Sequence, residues 1–199
     1  MSVSVSGMER LFAVYSELEE QMARFKKAAR IDCPGKCQKC CETARLVEAS
    51  PLEMLPLSNH LWQRGEAESA LEQLRKMDTE FPCFLLNRNP YPLSKGGCNY
   101  YSYRPLVCRL FGFSAVPDKY GNPRIALCKP MKESNPGIGD HINEMIREGL
   151  GVPIVSHFSR RVAFIDPNLG QDRYSINHSL KKALEIVGFK WELQKEAVT

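Results

Sequence analysis

The sequence predicts a mainly helical α+β fold, in which helices surround an irregular cysteine-rich centre with a small β-hairpin. Apolar residues recur at helical spacing towards both ends of the 199-residue chain. The segment 82–130 is instead rich in Pro, Gly, Asn and Tyr, a composition that rarely builds a hydrophobic core without crosslinks. All eight cysteines lie between positions 33 and 128. Metal crosslinks would compensate for the weak core there, so we expect the centre to be metal-bound.

The length and composition fit one folded unit with a real core. Hydrophobic residues make up 43% of the chain and charged residues 25%. We predict a single domain over 1–199, consisting of an N-terminal helix (1–30), a cysteine-rich metal-binding core (31–135) and a C-terminal α/β extension (136–199).

Charge and hydropathy narrow the classes of function. The net charge of +4 is mild and disfavours a nucleic-acid partner. The first residues lack a basic n-region and a continuous apolar h-region, and no stretch approaches the roughly 18–20 apolar residues of a membrane span. We therefore expect a cytoplasmic protein with no signal peptide and no membrane segment. Disulfides are disfavoured in that compartment, where clustered cysteines more often bind metal.

The first helix is predicted to begin at a capping box and to end near Arg30. Ser6 and Glu9 have the Ser-x-x-Glu form that satisfies exposed amides at a helix start. An apolar stripe follows at alternating steps of four and three: Leu11, Tyr15, Leu18, Met22, Phe25 and Ala29. We favour a helix whose apolar stripe packs on its own chain over a helix that dimerises as a coiled coil, since Tyr, Met and Ala suit a coiled-coil interface poorly.

Two more helices are predicted before residue 82. After a short extended stretch, Thr43–Glu48, Ser50-Pro-Leu-Glu53 forms a second capping box with proline at the first helical position. Pro56 should interrupt or kink this helix. Apolar spacing then predicts a helix over 66–81.

The hairpin and the tail are predicted from turn residues and caps. Phe113–Val116 and Arg124–Leu127 flank the turn-rich segment 118–123, and pairing them would bring Cys128 back towards Cys108. The tail should hold a helix capped by Asp140 and closed by Gly149, a strand over Val162–Ile165, and a last helix capped by Asn177 or Ser179.

The cysteine spacing predicts a metallothiolate centre. Four of the eight form Cys33-x3-Cys37-x2-Cys40-Cys41 on a short glycine-containing loop, and a metal makes such a gathering of thiolates favourable. The candidate ligands are Cys33, Cys37, Cys40, Cys41, Cys83, Cys98, Cys108 and Cys128. Four thiolates suffice for zinc or for a [4Fe–4S] cluster, so eight could fill two sites or one site with spare thiols.

The adjacent pair Cys40-Cys41 bears on which metal is held. Neighbouring side chains of extended backbone point to opposite faces, so a polynuclear centre or two metal positions accommodate the pair more easily than one ion. The second half of the chain offers only single cysteines rather than a second C-x2-C knuckle, which disfavours a zinc ribbon. We favour an iron–sulfur cluster over zinc.

A second motif surrounds Cys108. Pro105 suits the first position of a helix, which puts Cys108 in the first turn, where free amides and the helix dipole favour a thiolate. Arg104 and Arg109 flank that cysteine. We predict that both arginines bind the cofactor by compensating the negative charge of the thiolates.

These elements in this order resemble the CxxCxxCC cysteine-cluster family, for which zinc or iron chelation is proposed. They are Cys33 to Cys41, Cys83, the run from Cys98 to Phe111, and Cys128-Lys-Pro130, and they span roughly 33–130. The first gap here is three residues, and Lys129 follows Cys128. The resemblance implies metal binding. Longer members resemble flagellin lysine N-methylases, in which the cysteine domain accompanies methyl transfer.

The predicted function is metal binding with a structural or electron-handling role. The alternative is a metal-dependent enzyme that modifies a protein or a small molecule, as a flagellin lysine N-methylase-like protein would. No residue is assigned a catalytic role, because the four histidines suit surface or capping positions. A nucleic-acid-binding zinc module is disfavoured, since cations near the cysteines are what a dianionic metal site attracts. A protein partner stays unidentified.

Overall fold

The architecture matches the predicted class, mainly helical α+β. The structure, a computed structural model, describes residues 7–33, 39–42, 47–77, 82–87 and 97–196. In chain order the elements are α1 (Met8–Ala29), α2 (Lys39–Glu42), β1 (Glu48–Ala49), α3 (Pro51–Gln63), α4 (Ala67–Lys76), a 3-10 turn (Tyr101–Tyr103), α5 (Leu106–Leu110), β2 (Ala115–Pro117), β3 (Pro123–Ile125), α6 (Lys129–Ser134), α7 (Ile138–Arg147), α8 (Val155–Ala163), α9 (Pro167–Gly170), β4 (Tyr174–Ser175) and α10 (Ile176–Glu196).

The predicted stripe of α1 packs on the same chain. Its buried residues are Leu11, Val14, Tyr15, Leu18, Phe25 and Ala29, and they contribute to both hydrophobic clusters of the described residues. The helix ends as predicted at Arg30, whose left-handed backbone lets its N–H bond to the carbonyl of Lys26. The start differs from the prediction: Ser6 lies outside the described residues, and Gly7, with φ of 92°, precedes the first turn.

The α3 helix confirms the second capping box. The Glu53 side chain accepts from the backbone N–H of Ser50 at 2.7 Å, and Pro51 occupies the first helical position. Pro56 does not interrupt the helix, which runs through it to Gln63; the alternative, a kink at Pro56, stays a prediction. The next helix, α4, is shorter than predicted and ends at Lys76, and Phe81 lies outside the described residues.

The main core is built around the packed pair of helices α3 and α10. Buried polar groups fix their approach: Ser58 donates to the carbonyl of Ala183 at 2.9 Å and Trp62 Nε1 to that of Leu184 at 2.9 Å. Gly188 allows the close contact, because a Cβ there would lie 2.5 Å from the Trp62 ring. Both helices carry residues that reach the cysteine-bearing segments.

A second cluster holds the hairpin. Strands β2 and β3 pair as predicted, with Ala115 opposite Ile125, and Asp118 accepts from the amides of Tyr120 and Asn122 in the turn. Asn143 of α7 accepts from the amide of Ile125 at 2.9 Å and fixes the hairpin to that helix. Strands β1 and β4 form a separate antiparallel pair.

Three predictions for the tail are corrected. Val162–Ile165 is not a strand: Val162 belongs to α8, where it and Phe158 bury one helical face, and a short apolar run cannot distinguish the two states. The α7 helix begins at Ile138 after Gly137, so Asp140 lies in its first turn rather than at its cap. Gly149 follows its end with φ of 104°. The α10 helix already includes Asn177 and Ser179.

Replacing Gly188 by alanine should destabilise the protein. Alanine normally favours a helix interior over glycine, but here the added methyl overlaps the Trp62 ring, whose indole N–H is held by Leu184. We expect the free energy of unfolding in urea to fall by about 1–3 kcal/mol. Gly151→Ala, with no atom within 4 Å of the added carbon, is the control and should leave it nearly unchanged; equal effects would contradict the packing argument.

Candidate metal centre

Five cysteine side chains from separate parts of the chain come into electrostatic range of one another. Cys40 and Cys41 lie on α2, Cys83 and Cys98 on irregular backbone, and Cys108 in α5. The charge of Cys40 acts on Cys41, Cys83, Cys98 and Cys108, and that of Cys98 on Cys41, Cys83 and Cys108. None of the seven described cysteines is in a disulfide. The fold therefore gathers thiols that are up to 68 positions apart in the sequence, between Cys40 and Cys108.

Cys83 is held by a side chain on α10. The side chain of Asn177 bonds to the backbone on both sides of Cys83. Its Oδ1 accepts from the backbone N–H of Phe84 at 2.8 Å, and its Nδ2 donates to the carbonyl of Pro82 at 2.9 Å. Asn177 is buried, with 4% exposure, so these bonds form away from water. The residue predicted as a helix cap thus fixes the backbone on both sides of Cys83.

Cys98 is held against the same segment by backbone pairing. Cys98 and Leu86 form an isolated antiparallel bridge, in which the amide of Asn99 donates to Leu85 at 2.9 Å and that of Asn87 to Gly97 at 2.7 Å. Cys83 and Cys98 are 7% and 8% exposed and belong to the main core. These two thiols are therefore positioned by core packing as well as by hydrogen bonds.

Cys108 is positioned through the buried carboxylate of Glu53. One carboxylate oxygen, Oε1, accepts from the amide of Leu106 at 2.8 Å, while Oε2 accepts from the amide and the hydroxyl of Ser50 at 2.7 and 2.9 Å. Leu106 is the first residue of α5, so Pro105 is its cap rather than its first helical residue. Cys108 falls in the first turn, as predicted.

The hydrogen bond from Cys41 to Cys40 sets the proton affinities of that pair. It lowers the pKa of Cys40 to about 6, helped by the charge of Arg104, and it raises the pKa of Cys41. The two sulfurs therefore lie on the same side of α2. This corrects the expectation for extended backbone, because the helical turn brings the neighbouring thiols together.

Burial dominates at the other three thiols. It raises the pKa of Cys83 to about 11 and that of Cys98 and Cys108 above their ordinary values. At Cys108 this effect of burial opposes the thiolate that the helix start was expected to favour.

The two predicted cofactor-binding arginines have different surroundings. Arg104 lies near the thiols, and its charge lowers the pKa of Cys40 and Cys98; it also donates to the carbonyl of Cys108 at 3.2 Å and stacks over the Tyr101 ring at 3.5 Å. Arg109 is 6% exposed and binds Glu19 of α1 and the carbonyl of Arg104. Arg104 can compensate thiolate charge, and Arg109, which also ties α1 to α5, lies within electrostatic range of Cys108. That the two arginines bind a cofactor stays a prediction.

The remaining predicted ligands lie elsewhere or outside the described residues. Cys33 is exposed, and Cys37 lies outside the described residues. Cys128 packs against the second cluster, where its sulfur would lie 3.8 Å from a Cβ on Gly112. Whether these three cysteines bind metal stays a prediction.

Sequence reasoning missed the residues that position the thiols. The capping-box pattern identified Glu53 as a partner of Ser50, but it carried no signal for the bond to Leu106, which is 53 positions away. Asn177 was recognised only as a cap. His60 stacks on Tyr103 at 4.9 Å between ring centroids, so it packs beside the tyrosines that follow Cys98 rather than serving as a lone surface residue.

Comparison with known proteins identifies the family. Residues 32–132 match the CxxCxxCC family, described as a "putative zinc- or iron-chelating domain". The chain belongs to this family. No curated protein and no solved structure shows a significant match to it. No helix in the described part of the chain is long and apolar enough to cross a membrane.

The candidate ligands of this CxxCxxCC protein are of the chemical type that zinc and iron bind. Thiolates suit zinc and iron–sulfur centres, and Arg104 offsets negative charge. Over the described ranges, no three His, Cys, Asp or Glu side chains are arranged closely enough to hold a metal ion between them. The five thiols thus share one region without closing around a single point.

Removing the two hydrogen bonds of the Asn177 side chain should destabilise the protein and loosen the backbone around Cys83. Asn177→Ala leaves the amide of Phe84 and the carbonyl of Pro82 without their partner, so we expect the free energy of unfolding to fall by about 2–4 kcal/mol. Alkylation of Cys83 in the metal-free protein, followed by mass spectrometry, should also become faster. The control is Asn135→Ala at an exposed position, whose free energy of unfolding should stay within about 0.5 kcal/mol of the wild type. A similar loss in both variants would contradict the role assigned to the Asn177 hydrogen bonds.

The pKa of Cys83 predicts how the metal-free protein responds to alkaline pH. Because the folded pKa, about 11, exceeds the ordinary value of 9.0, folding favours the protonated thiol. Its contribution is fully present below pH 9 and is lost as the pH rises to about 11, on the order of 2–3 kcal/mol. Urea unfolding of the metal-free protein across this range should show the loss, and Cys83→Ala should show a shallower slope; an identical slope would contradict the assignment.

Proposed function

We propose that this protein holds a polynuclear metal centre through Cys40, Cys41, Cys83, Cys98 and Cys108, as an iron–sulfur cluster or as zinc ions sharing thiolates. The observation that carries the proposal is the gathering of these five thiols from three segments of the chain. One tetrahedral ion needs four thiolates, so five in one region favour more than one metal atom. We retain iron–sulfur as the first candidate.

The role we propose for the centre is structural or electron-handling. Supporting the structural role, the thiols lie on α2, on residues 82–87 and on 97–110, whose helical elements are each no longer than five residues. Metal–thiolate bonds add folding free energy where a segment cannot bury enough apolar surface. Supporting electron handling, the two buried thiols would place part of the centre away from water. The methylase-like enzymatic alternative stays a prediction.

Elemental analysis with acid-labile sulfide on protein purified without oxygen tests this proposal. Iron with matching sulfide and broad absorption near roughly 400 nm would indicate a cluster; zinc without sulfide would indicate zinc ions. In either case we expect Cys108→Ser to lose metal and to lower the melting temperature, because Cys108 anchors the segment after Cys98. Full metal content and native melting in Cys108→Ser would overturn the assignment.

The matched control is Cys128→Ser, which removes a thiol packed against the second cluster. The five-thiol proposal predicts that this variant keeps the wild-type metal content. Loss of metal in Cys128→Ser would contradict the five-thiol set and return Cys128 to the ligands. Wild-type protein without metal or sulfide would refute the proposed function itself.

A further inference from the structure

The five thiols fall into two groups that differ in how the chain holds them. The inner thiols are Cys83, Cys98 and Cys108. The outer pair is Cys40 and Cys41. The difference lies in attachment to the core, and it suggests that the two groups have different tasks in the proposed centre.

The inner thiols are attached to the core through several independent contacts. Cys83 and Cys98 are core residues, and Cys108 packs against the same core. Asn177 fixes the backbone at Cys83 from α10, and Glu53 fixes the start of α5 from α3. Displacing an inner thiol would therefore disrupt buried hydrogen bonds, each costly to leave unmade.

The outer pair lacks such attachment. Cys40 and Cys41 are partly exposed, as Cys108 also is, but only Cys108 of the three packs against the core. The α2 helix, whose four residues are all described, has no buried residue. The ends of α2 are joined by an ion pair between Lys39 and Glu42 at 2.8 Å, with both side chains largely exposed, and exposed pairs of this kind contribute little stability. The outer thiols can therefore move with small loss of packing.

We propose that Cys40 and Cys41 are the exchangeable ligands of the centre, through which a thiol-bearing acceptor takes the metal, while the inner thiols form a fixed base. This rests on the proposed function. In the exchange, each new bond between the metal and an acceptor sulfur would replace one bond to a cysteine of this chain, first those to Cys40 and Cys41 and then those to the inner thiols. Each acceptor thiol would pass its proton to the thiolate that it displaces, and no electrons would be transferred.

Transfer of zinc from the loaded full-length protein to a small dithiol, dimercaptosuccinate, tests the proposal. The zinc content of the protein is measured at intervals after rapid desalting. Cys40→Ser and Cys41→Ser should release the zinc they bind at least about tenfold faster than the wild type, the scale on which even outer-shell changes alter metal affinity. Cys83→Ser and Cys98→Ser should lose zinc during purification.

A measurement on the wild type keeps the test decisive if an inner variant does not fold. Zinc-loaded protein is treated with iodoacetamide and mapped by mass spectrometry; Cys40 and Cys41 should be labelled before Cys83 and Cys98. Labelling at equal rates, or release from the outer variants at the wild-type rate, would overturn the two-group arrangement while leaving the proposed function standing. Wild-type protein that binds no zinc and no iron would overturn both.

Discussion

A buried carboxylate, that of Glu53, links the helical scaffold to the segment that carries Cys108. It is 1% exposed and receives three hydrogen bonds, two from Ser50 and one from Leu106. Arg173 lies 3.7 Å from the second oxygen and donates to the carbonyl of Glu48. A carboxylate buried in the core without these donors would strongly destabilise the folded protein. Folding therefore has to bring together the start of α3, the start of α5 and the β1–β4 pair.

The thiol centre follows from this scaffold and from two further buried contacts. Asn177 of α10 sets the position of Cys83, and the bridge between Leu86 and Cys98 sets the second thiol relative to the first. Arg109, bound to Glu19, places α1 across α5 with its guanidinium over the Tyr15 ring. Since α3 and α10 pack through Trp62 and Gly188, a change in their spacing would reach both Glu53 and Asn177.

Local chemistry made part of the fold predictable. The apolar stripe of α1, the capping box at Ser50 and the turn residues around Asp118 each act within a few positions, so the sequence pattern carries them. The strand predicted over Val162–Ile165 failed because a four-residue apolar run fits a buried helix face equally well. The cap predicted at Asn177 is wrong because α10 already begins at Ile176, and the Asn177 side chain instead bonds to the backbone beside Cys83.

The candidate site was predictable in its residue types and less so in its geometry. Cysteine spacing and the motif around Cys108 indicated a metallothiolate centre, and the family membership agrees with zinc or iron chelation. The grouping of the thiols depends on the Leu86–Cys98 bridge and on contacts of Glu53 and Asn177 with residues more than 50 positions away, which sequence periodicity does not reveal. Likewise, the sequence does not show that burial raises the pKa of Cys108, nor that Arg109 pairs with Glu19 of α1.

The zinc affinity of Glu53→Gln, measured by competition with a chelator, tests most directly whether this carboxylate positions the thiols. Glutamine has one acceptor oxygen, so its NH2 group would face a donor at Ser50 or Leu106. We predict an affinity loss of roughly 10–100-fold in protein that remains folded by circular dichroism, whereas Glu72→Gln, on the exposed face of α4, should bind as wild type does. Unchanged affinity in Glu53→Gln would contradict the account.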